Sequence, residues 1–167
     1  MSLRFTAALA TVALAAGATS AFAHDGSGQR RDGRHDDTVL QAAMFGSQPA
    51  GPVLFGVKPG GAPWVIDEGE ATVRRDGRVE ASVEGLVIPT PPQNGTNPLT
   101  GIAATVYCGG VAVGTTRTAP FSSQGDASIE DTLATALPTP CLAPAVLLNP
   151  APGGKANTGV YIAATGA

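Results

Sequence analysis

Apolar residues in this chain recur with a period of two, in short runs that glycine and proline separate. The clearest run is 78–84 (RVEASVE), in which three apolar residues alternate with four polar ones. Such alternation is typical of a β-strand with one buried face. A similar run at 70–74 precedes it, and Arg75-Asp76-Gly77 between the two is a strong hairpin signal. The sequence therefore predicts an antiparallel hairpin here.

The same pattern continues toward the C terminus. A second hairpin is predicted from 102–108 and 111–116, because Gly109-Gly110 between them tolerates positive φ. Residues 127–137 fit either a strand or a short capped helix, and the strands around them favour a strand. About seven short strands without a long amphipathic helix predict an all-β fold, an antiparallel β-sandwich that is immunoglobulin-like or a related Greek key. A small β-barrel is the alternative.

The N-terminal segment has the three parts of a secretory signal peptide. Arg4 supplies a positive charge, residues 5–16 are apolar, and Ala21-Phe22-Ala23 forms a cleavage motif. The apolar stretch is shorter than the roughly 20 residues that a membrane span needs. We therefore expect cleavage between Ala23 and His24, and a secreted, extracellular protein with no membrane span after signal removal.

The composition after the cleavage site divides the mature chain into three parts. Residues 24–37 contain no apolar side chain and are predicted to be a disordered polar tail. Residues 38–63 are interrupted by prolines and by Gly60-Gly61, and we interpret them as a linker or an irregular segment leading into the domain. Whether they join the sheet stays open at this point. Residues 64–167 are predicted to form the β-sandwich domain.

The chain contains two cysteines, Cys108 and Cys141. In an exported chain an even number of cysteines predicts disulfide bonding, and two cysteines allow one intramolecular pairing. We therefore predict a Cys108–Cys141 disulfide.

The charge and the histidines limit the chemistry that the chain can perform. A formal net charge of -3 excludes the basic footprint of a nucleic-acid-binding protein. The two histidines, His24 and His35, both lie in the polar tail. Triads, Cys-His pairs and zinc sites depend on an imidazole that the fold holds in place. We therefore expect no catalytic residue, no metal site and no cofactor, apart from adventitious metal binding by the tail.

Carboxylates and one tryptophan are the remaining candidates. Glu80 and Glu84 share a strand face and could act as a glycosidase pair, but a solvated face is the simpler interpretation. Asp126, Glu130 and Asp131 could contribute to a calcium site, although turn and surface roles are favoured. The single tryptophan, Trp64, is predicted to fill the core at the start of a strand.

These observations favour a non-enzymatic extracellular module that binds a protein, a glycan or an envelope surface. The alternative is a carboxylate-only hydrolase or a metal-binding protein. Neither the ligand nor the oligomeric state follows from the sequence.

Three segments carry a resemblance to a known group of proteins. They are Gly125-Asp126-Ala127, the segment 137–148 (LPTPCLAPAVLL) and the closing segment 161–166 (YIAATG). From Trp64 onward the chain resembles small exported β-sandwich proteins of high-GC actinobacteria, a group without a defined function. The resemblance implies export and a β fold, and it implies no activity.

The cleavage motif gives a direct test of export. Expression in a bacterial host should place the protein outside the cytoplasm with His24 as its first residue, because Ala21-Phe22-Ala23 fits the signal peptidase. N-terminal sequencing of the exported protein is the measurement. An Ala21→Asp, Ala23→Asp variant is the control and should stay unprocessed. Exported wild-type material that still begins at Met1 would contradict the prediction.

Overall fold

The computed structural model describes residues 37–166, and it contains strands and turns but no α-helix. The predicted signal peptide, its cleavage site and residues 24–36 of the predicted tail lie outside the described residues. One short 3-10 turn spans Pro152–Gly154. The strands are β1 (Thr38–Gly46), β2 (Lys58–Pro59), β3 (Glu68–Arg74), β4 (Arg78–Glu84), β5 (Gly101–Cys108), β6 (Val111–Thr115), β7 (Ala119–Pro120), β8 (Ala127–Thr132), β9 (Ala145–Pro150), β10 (Val160–Tyr161) and β11 (Ala163–Thr165).

Nine strands form one curled antiparallel sheet in the order β6-β5-β9-β11-β1-β3-β4-β8, with β7 paired to β5. Strand β1 belongs to both halves of this sheet. Its first part pairs with β3 as far as Ala43, opposite Glu70, whereas Met44 already lies opposite Thr165 of β11. We call β3, β4, β8 and the first part of β1 the charged half-sheet. The neutral half-sheet comprises β11, β9, β5, β6 and the last part of β1.

The inner faces of the two half-sheets share one hydrophobic core. Val73, Val79 and Ile129 come from the charged half-sheet, and Ile102 and Val146 come from the neutral half-sheet. In β4 the buried residues alternate with outward-facing polar residues, as its sequence predicts. The prediction of an all-β, antiparallel fold is confirmed, and the curled sheet has features of both a sandwich and a small barrel.

The neutral half-sheet is covered on its outer side as well. Every residue of β5 is buried, because a second apolar cluster packs against its outer face. In that cluster Val57 contacts the surface formed by Tyr107 and Leu147. The hydroxyl of Tyr161 donates a hydrogen bond of 2.7 Å to the carbonyl of Pro52, which fixes this covering segment.

The N-terminal boundary of the domain requires a correction. The interpretation of residues 38–63 as a linker or irregular segment is wrong for its first nine residues, because Thr38–Gly46 is a strand inside the main sheet. Residues 47–63 are irregular apart from β2, which pairs in parallel with β10. The domain therefore begins well before Trp64. The indole of Trp64 is buried in the core beside Phe121, as predicted.

For residues 127–137 the sequence allows either a strand or a short helix, and the structure has a strand, β8. Ala127–Thr132 is a strand that pairs with β4, so the favoured alternative is confirmed. Its Asp131 accepts hydrogen bonds from the guanidinium and from the backbone N–H of Arg117, which lies beyond β6. This contact joins the two ends of the curled sheet.

The pairing with Arg117 makes this contact depend on pH. Hydrogen bonds from the Arg117 side chain and backbone lower the pKa of Asp131 from 3.8 to about 2. Because the folded-state pKa lies below the unfolded one, the contact stabilises the fold fully above about pH 4. Its contribution is lost as the pH falls toward 2.

The disulfide Cys108–Cys141 is present, as predicted, and links the end of β5 to the loop before β9. The Cα atoms of the two cysteines lie 5.0 Å apart. Next to Cys108, the turn residues Gly109 and Gly110 have φ values of 60° and 80°, which glycine adopts without strain. The N–H of Gly109 donates to the carbonyl of Leu142, so the turn and the disulfide hold the same loop.

No helix within residues 37–166 has the length and apolar character that crossing a bilayer would require.

Loss of the disulfide should destabilise the domain strongly. The bond joins positions 33 residues apart, and closing a loop of this length contributes roughly 3–4 kcal/mol. We expect Cys108→Ser and Cys141→Ser each to lower the Tm by roughly 10 °C, and the double variant to resemble either single variant. Calorimetry of each variant is the measurement. A reductant should lower the Tm of the wild type to that of the variants and should not change the Tm of the variants. A double variant with a Tm far below those of the single variants would contradict the prediction.

Candidate functional site

A groove of about 560 Å³ opens on the outer side of the charged half-sheet, where β1 leaves β3. The β1–β3 register ends at Ala43 and Glu70, so Gly69 and Glu68 have a strand partner in β4 and none in β1. The groove is the wedge between the two diverging strands. Its volume lies within the range that small-ligand pockets occupy. We call it the acidic groove.

The floor of the groove is apolar. Phe45 follows the buried Met44 on β1, so strand alternation turns its side chain outward, and it is 51% exposed. Ile66, just before β3, also lines the groove. A Cβ atom at Gly69 would overlap the Ile66 side chain, so the glycine allows Ile66 to pack directly against the β3 backbone. Ile66 lies on the core side of the sheet with Met44 and Val83, whereas Phe45 faces outward.

Carboxylates surround this floor. Asp67, Glu68, Glu70 and Glu84 line the groove, and no lysine or arginine of the described residues does so. Glu68 lies directly opposite Glu84 in the β3–β4 register. Glu70 lies opposite Ser82, and its Oε1 accepts a hydrogen bond of 2.6 Å from Gln41. Like charges directly opposite each other contribute nothing favourable to a strand pair.

The acidic surface continues beyond the groove along the same face. A second, smaller depression shares Glu70 and Ser82 with the acidic groove and extends to Glu130 on β8. Within it Glu80 lies opposite Glu130, a second pair of like charges. Glu80 also forms an ion pair of 2.9 Å with Arg78. The outer face of the charged half-sheet is therefore an extended polar surface with an excess of carboxylates.

The structure does not bring the carboxylates singled out in the sequence together as one site. Glu84 lines the acidic groove, whereas Glu80 lines the second depression and pairs with Arg78. Asp126 accepts hydrogen bonds from the Gly85 N–H and the Ser122 hydroxyl, which is a turn role. Asp131 is held by Arg117.

No group of three or more His, Cys, Asp or Glu side chains within 37–166 is arranged to hold a metal ion. His24 and His35, the two imidazoles that could bind metal adventitiously, lie outside these residues.

A second surface feature lies at the opposite half of the sheet, around the Gly109-Gly110 turn. Val111 and Leu142 are 69% and 65% exposed. Phe55 is 41% exposed, and its ring stacks on Tyr107 with centroids 4.6 Å apart. The surrounding stretches 85–116 and 132–154 contain no charged residue. We call Phe55, Val111 and Leu142 with this turn the apolar tip.

Sequence reasoning missed the residues that shape the acidic groove. Phe45 was placed in a linker, and Ile66, Glu68 and Glu70 were not singled out. One signal was available, because outward-facing Gln41, Ala43 and Phe45 alternate with Ala42 and Met44. An aromatic residue at an outward position of an alternating strand indicates a surface that contacts something other than the core.

The fold and the groove define a small all-β domain with an acidic groove on one face of its sheet. Comparison of the chain with family models, curated proteins and solved structures finds no match.

The opposed glutamates predict a stabilising substitution. Glu84→Gln should raise the free energy of unfolding by about 0.2–1 kcal/mol at low ionic strength, because it removes the repulsion from Glu68. Thermal or urea unfolding in low and high salt is the measurement, and the gain should shrink in high salt because exposed charges are screened. Glu70→Gln is the matched control, since Glu70 faces Ser82 and should show no gain. Equal effects of both substitutions would contradict the pairwise repulsion.

Proposed function

We propose that this chain is an exported, non-enzymatic module that binds a positively charged protein surface outside the cell through the acidic groove. One observation carries the proposal: four carboxylates line a groove with an apolar floor, and no described lysine or arginine neutralises them there. Rigid strands hold both the floor and the rim. A cationic partner complements this surface.

The three classes of partner expected from the sequence differ in how well they suit this groove. A glycan site usually presents several aromatic rings, and the groove offers one, Phe45. An anionic envelope polymer would be repelled by four carboxylates. A basic segment of a protein would pair with them and could place aliphatic parts of its side chains on Phe45. The protein partner is therefore the best supported of the three.

Export is part of the proposal and is supported by independent features of the chain. The N-terminal segment has the pattern of a signal peptide, and the Cys108–Cys141 disulfide suits an oxidising compartment. The resemblance to small exported actinobacterial proteins points the same way. The alternative of a carboxylate-only hydrolase has less support, because Glu80 and Glu84 line different depressions.

Binding to a defined cationic surface tests the proposal. The mature protein should bind a sensor coated with poly-L-lysine and not one coated with poly-L-glutamate, and its affinity should fall as salt rises. A triple variant, Glu68→Gln, Glu70→Gln and Glu84→Gln, should bind at least about fivefold more weakly, because it removes three of the four groove charges. Biolayer interferometry is the measurement.

A second triple variant controls for net charge. Asp37→Asn, Asp76→Asn and Asp126→Asn change the charge by the same amount at residues that line neither the acidic groove nor the depression beside it. This variant should keep most of the wild-type affinity. Equal losses in the two triple variants would show that binding follows overall charge, and the groove would then have no special role.

A further inference from the structure

We infer that the apolar tip inserts into the surface of a lipid bilayer. Phe55, Val111 and Leu142, which form the tip, are three of the six large apolar side chains that are exposed among the described residues. The tip shares no residue with the lining of the acidic groove, so this role is separate from the proposed function. The geometry, the charge and the size of the tip favour a lipid surface as its partner.

Three separate segments of the chain bring the tip together at one turn. The ring of Phe55 lies against this turn, because a Cβ atom at Gly110 would be 3.6 Å from the Cδ1 atom of Phe55. The N–H of Gly109 donates to the carbonyl of Leu142, and Val111 follows the turn directly. The adjacent disulfide ties the loop that carries Leu142 to the end of β5. The three side chains are therefore held together before any partner binds.

The backbone beside two of these side chains is strained. Phe55 has a φ of 51°, and Ala143, the residue after Leu142, has a φ of 42°. Residues with a side chain rarely adopt this left-handed region, whereas glycine does so without strain. Strained backbone of this kind is found more often at binding sites than elsewhere. The strain at both loops therefore supports a binding role for the tip.

The segments that form the tip can leave water without burying a charge of their own. Residues 38–57, 85–116 and 132–154 contain no Asp, Glu, Lys or Arg. An ionised side chain in these segments would oppose insertion, because moving an unpaired charge out of water is very costly. The same segments offer no cation to attract anionic headgroups. The tip therefore suits a bilayer through its apolar side chains and not through charge.

The size of the tip favours a bilayer over a second copy of the chain. Full burial of three apolar side chains would remove at most roughly 350 Å² from water. A stable protein interface buries about 800 Å² on each partner. The tip alone would therefore hold two copies together weakly. A bilayer surrounds each protruding side chain, and its affinity for a protein grows with the apolar area inserted.

Flotation with neutral vesicles tests the inference. The mature protein should float with vesicles of phosphatidylcholine alone. Half-maximal binding should need lipid on the order of 1 mM, because three side chains anchor a protein more weakly than one acyl chain does. Phosphatidylglycerol in the vesicles should not strengthen the binding, and salt should not weaken it, because no charge of the tip takes part.

A charge introduced at the tip should prevent insertion. Val111→Asp and Leu142→Asp should each raise the lipid concentration for half-maximal binding at least about fivefold. Both side chains are mostly exposed, so each variant should keep the Tm of the wild type. Val65→Asp is the matched control, because it adds the same charge at an exposed valine outside the tip. This control should bind the vesicles like the wild type.

A tryptophan at the tip reports insertion directly. Leu142→Trp should bind at least as tightly as the wild type, because indole favours the membrane interface. Its fluorescence should move to shorter wavelength with vesicles, and lipids with brominated acyl chains should quench it. The wild type controls for the native indole of Trp64, which is buried in the core and should not respond.

The remaining outcomes each count against one of the two proposals. A wild type that does not float with neutral vesicles, or that salt releases from them, overturns the inference. An equal loss in Val65→Asp also overturns it. If Val111→Asp instead converts a dimer into a monomer in analytical ultracentrifugation, the tip contacts a second copy and not a bilayer. Normal flotation without binding to poly-L-lysine would count against the proposed function alone.

Discussion

Strand β1 changes its pairing partner between Ala43 and Met44, and this change determines how the sheet curls. One strand pairs with β3 along its first part and with β11 along its last part, so it joins the two half-sheets into one curled sheet. The curl brings their inner faces together around one core. The same divergence leaves the end of β3 without a neighbour and opens the acidic groove. The divergence of β1 from β3 therefore both curls the sheet and forms the candidate site.

The core that this curl encloses is built mainly from small and aliphatic side chains. Alanines such as Ala71 and Ala104 are fully buried in it, and aromatic residues make up only 5% of the chain. Small side chains bury little area each, so we expect the disulfide to carry a large share of the stability.

A buried polar pair lies on the outer side of β5. Thr105 donates to Asn149 at 2.6 Å, and the Asn149 amide donates to the carbonyl of Val160. These polar groups are paired, so their burial carries little penalty.

The sequence predicts those parts of the structure whose interacting residues are close together along the chain. The β3–β4 and β5–β6 hairpins were predictable because alternation and turn glycines are local signals. The disulfide followed from the cysteine count. Whether residues 38–46 join the sheet stays open in the sequence, because Ala42 and Ala43 place alanine on both faces and weaken the alternation. The acidic groove was beyond sequence reasoning, since it arises where residues 44–46 pair with residues 163–165 at the far end of the chain. Only the outward-facing Phe45 gave a local hint.

The two half-sheets differ in how charge is distributed on their outer faces. Strand β5 and most of β9 in the neutral half-sheet are buried on both faces, against apolar neighbours. The charged half-sheet keeps an open outer face, on which Glu68 opposes Glu84 and Glu80 opposes Glu130. Such pairs of like charges contribute nothing favourable to the strand pairing. The cationic partner that we propose would offset these charges and bind only the folded sheet, so its binding would stabilise the fold by mass action. The partner would then complete the electrostatic balance that the isolated domain lacks.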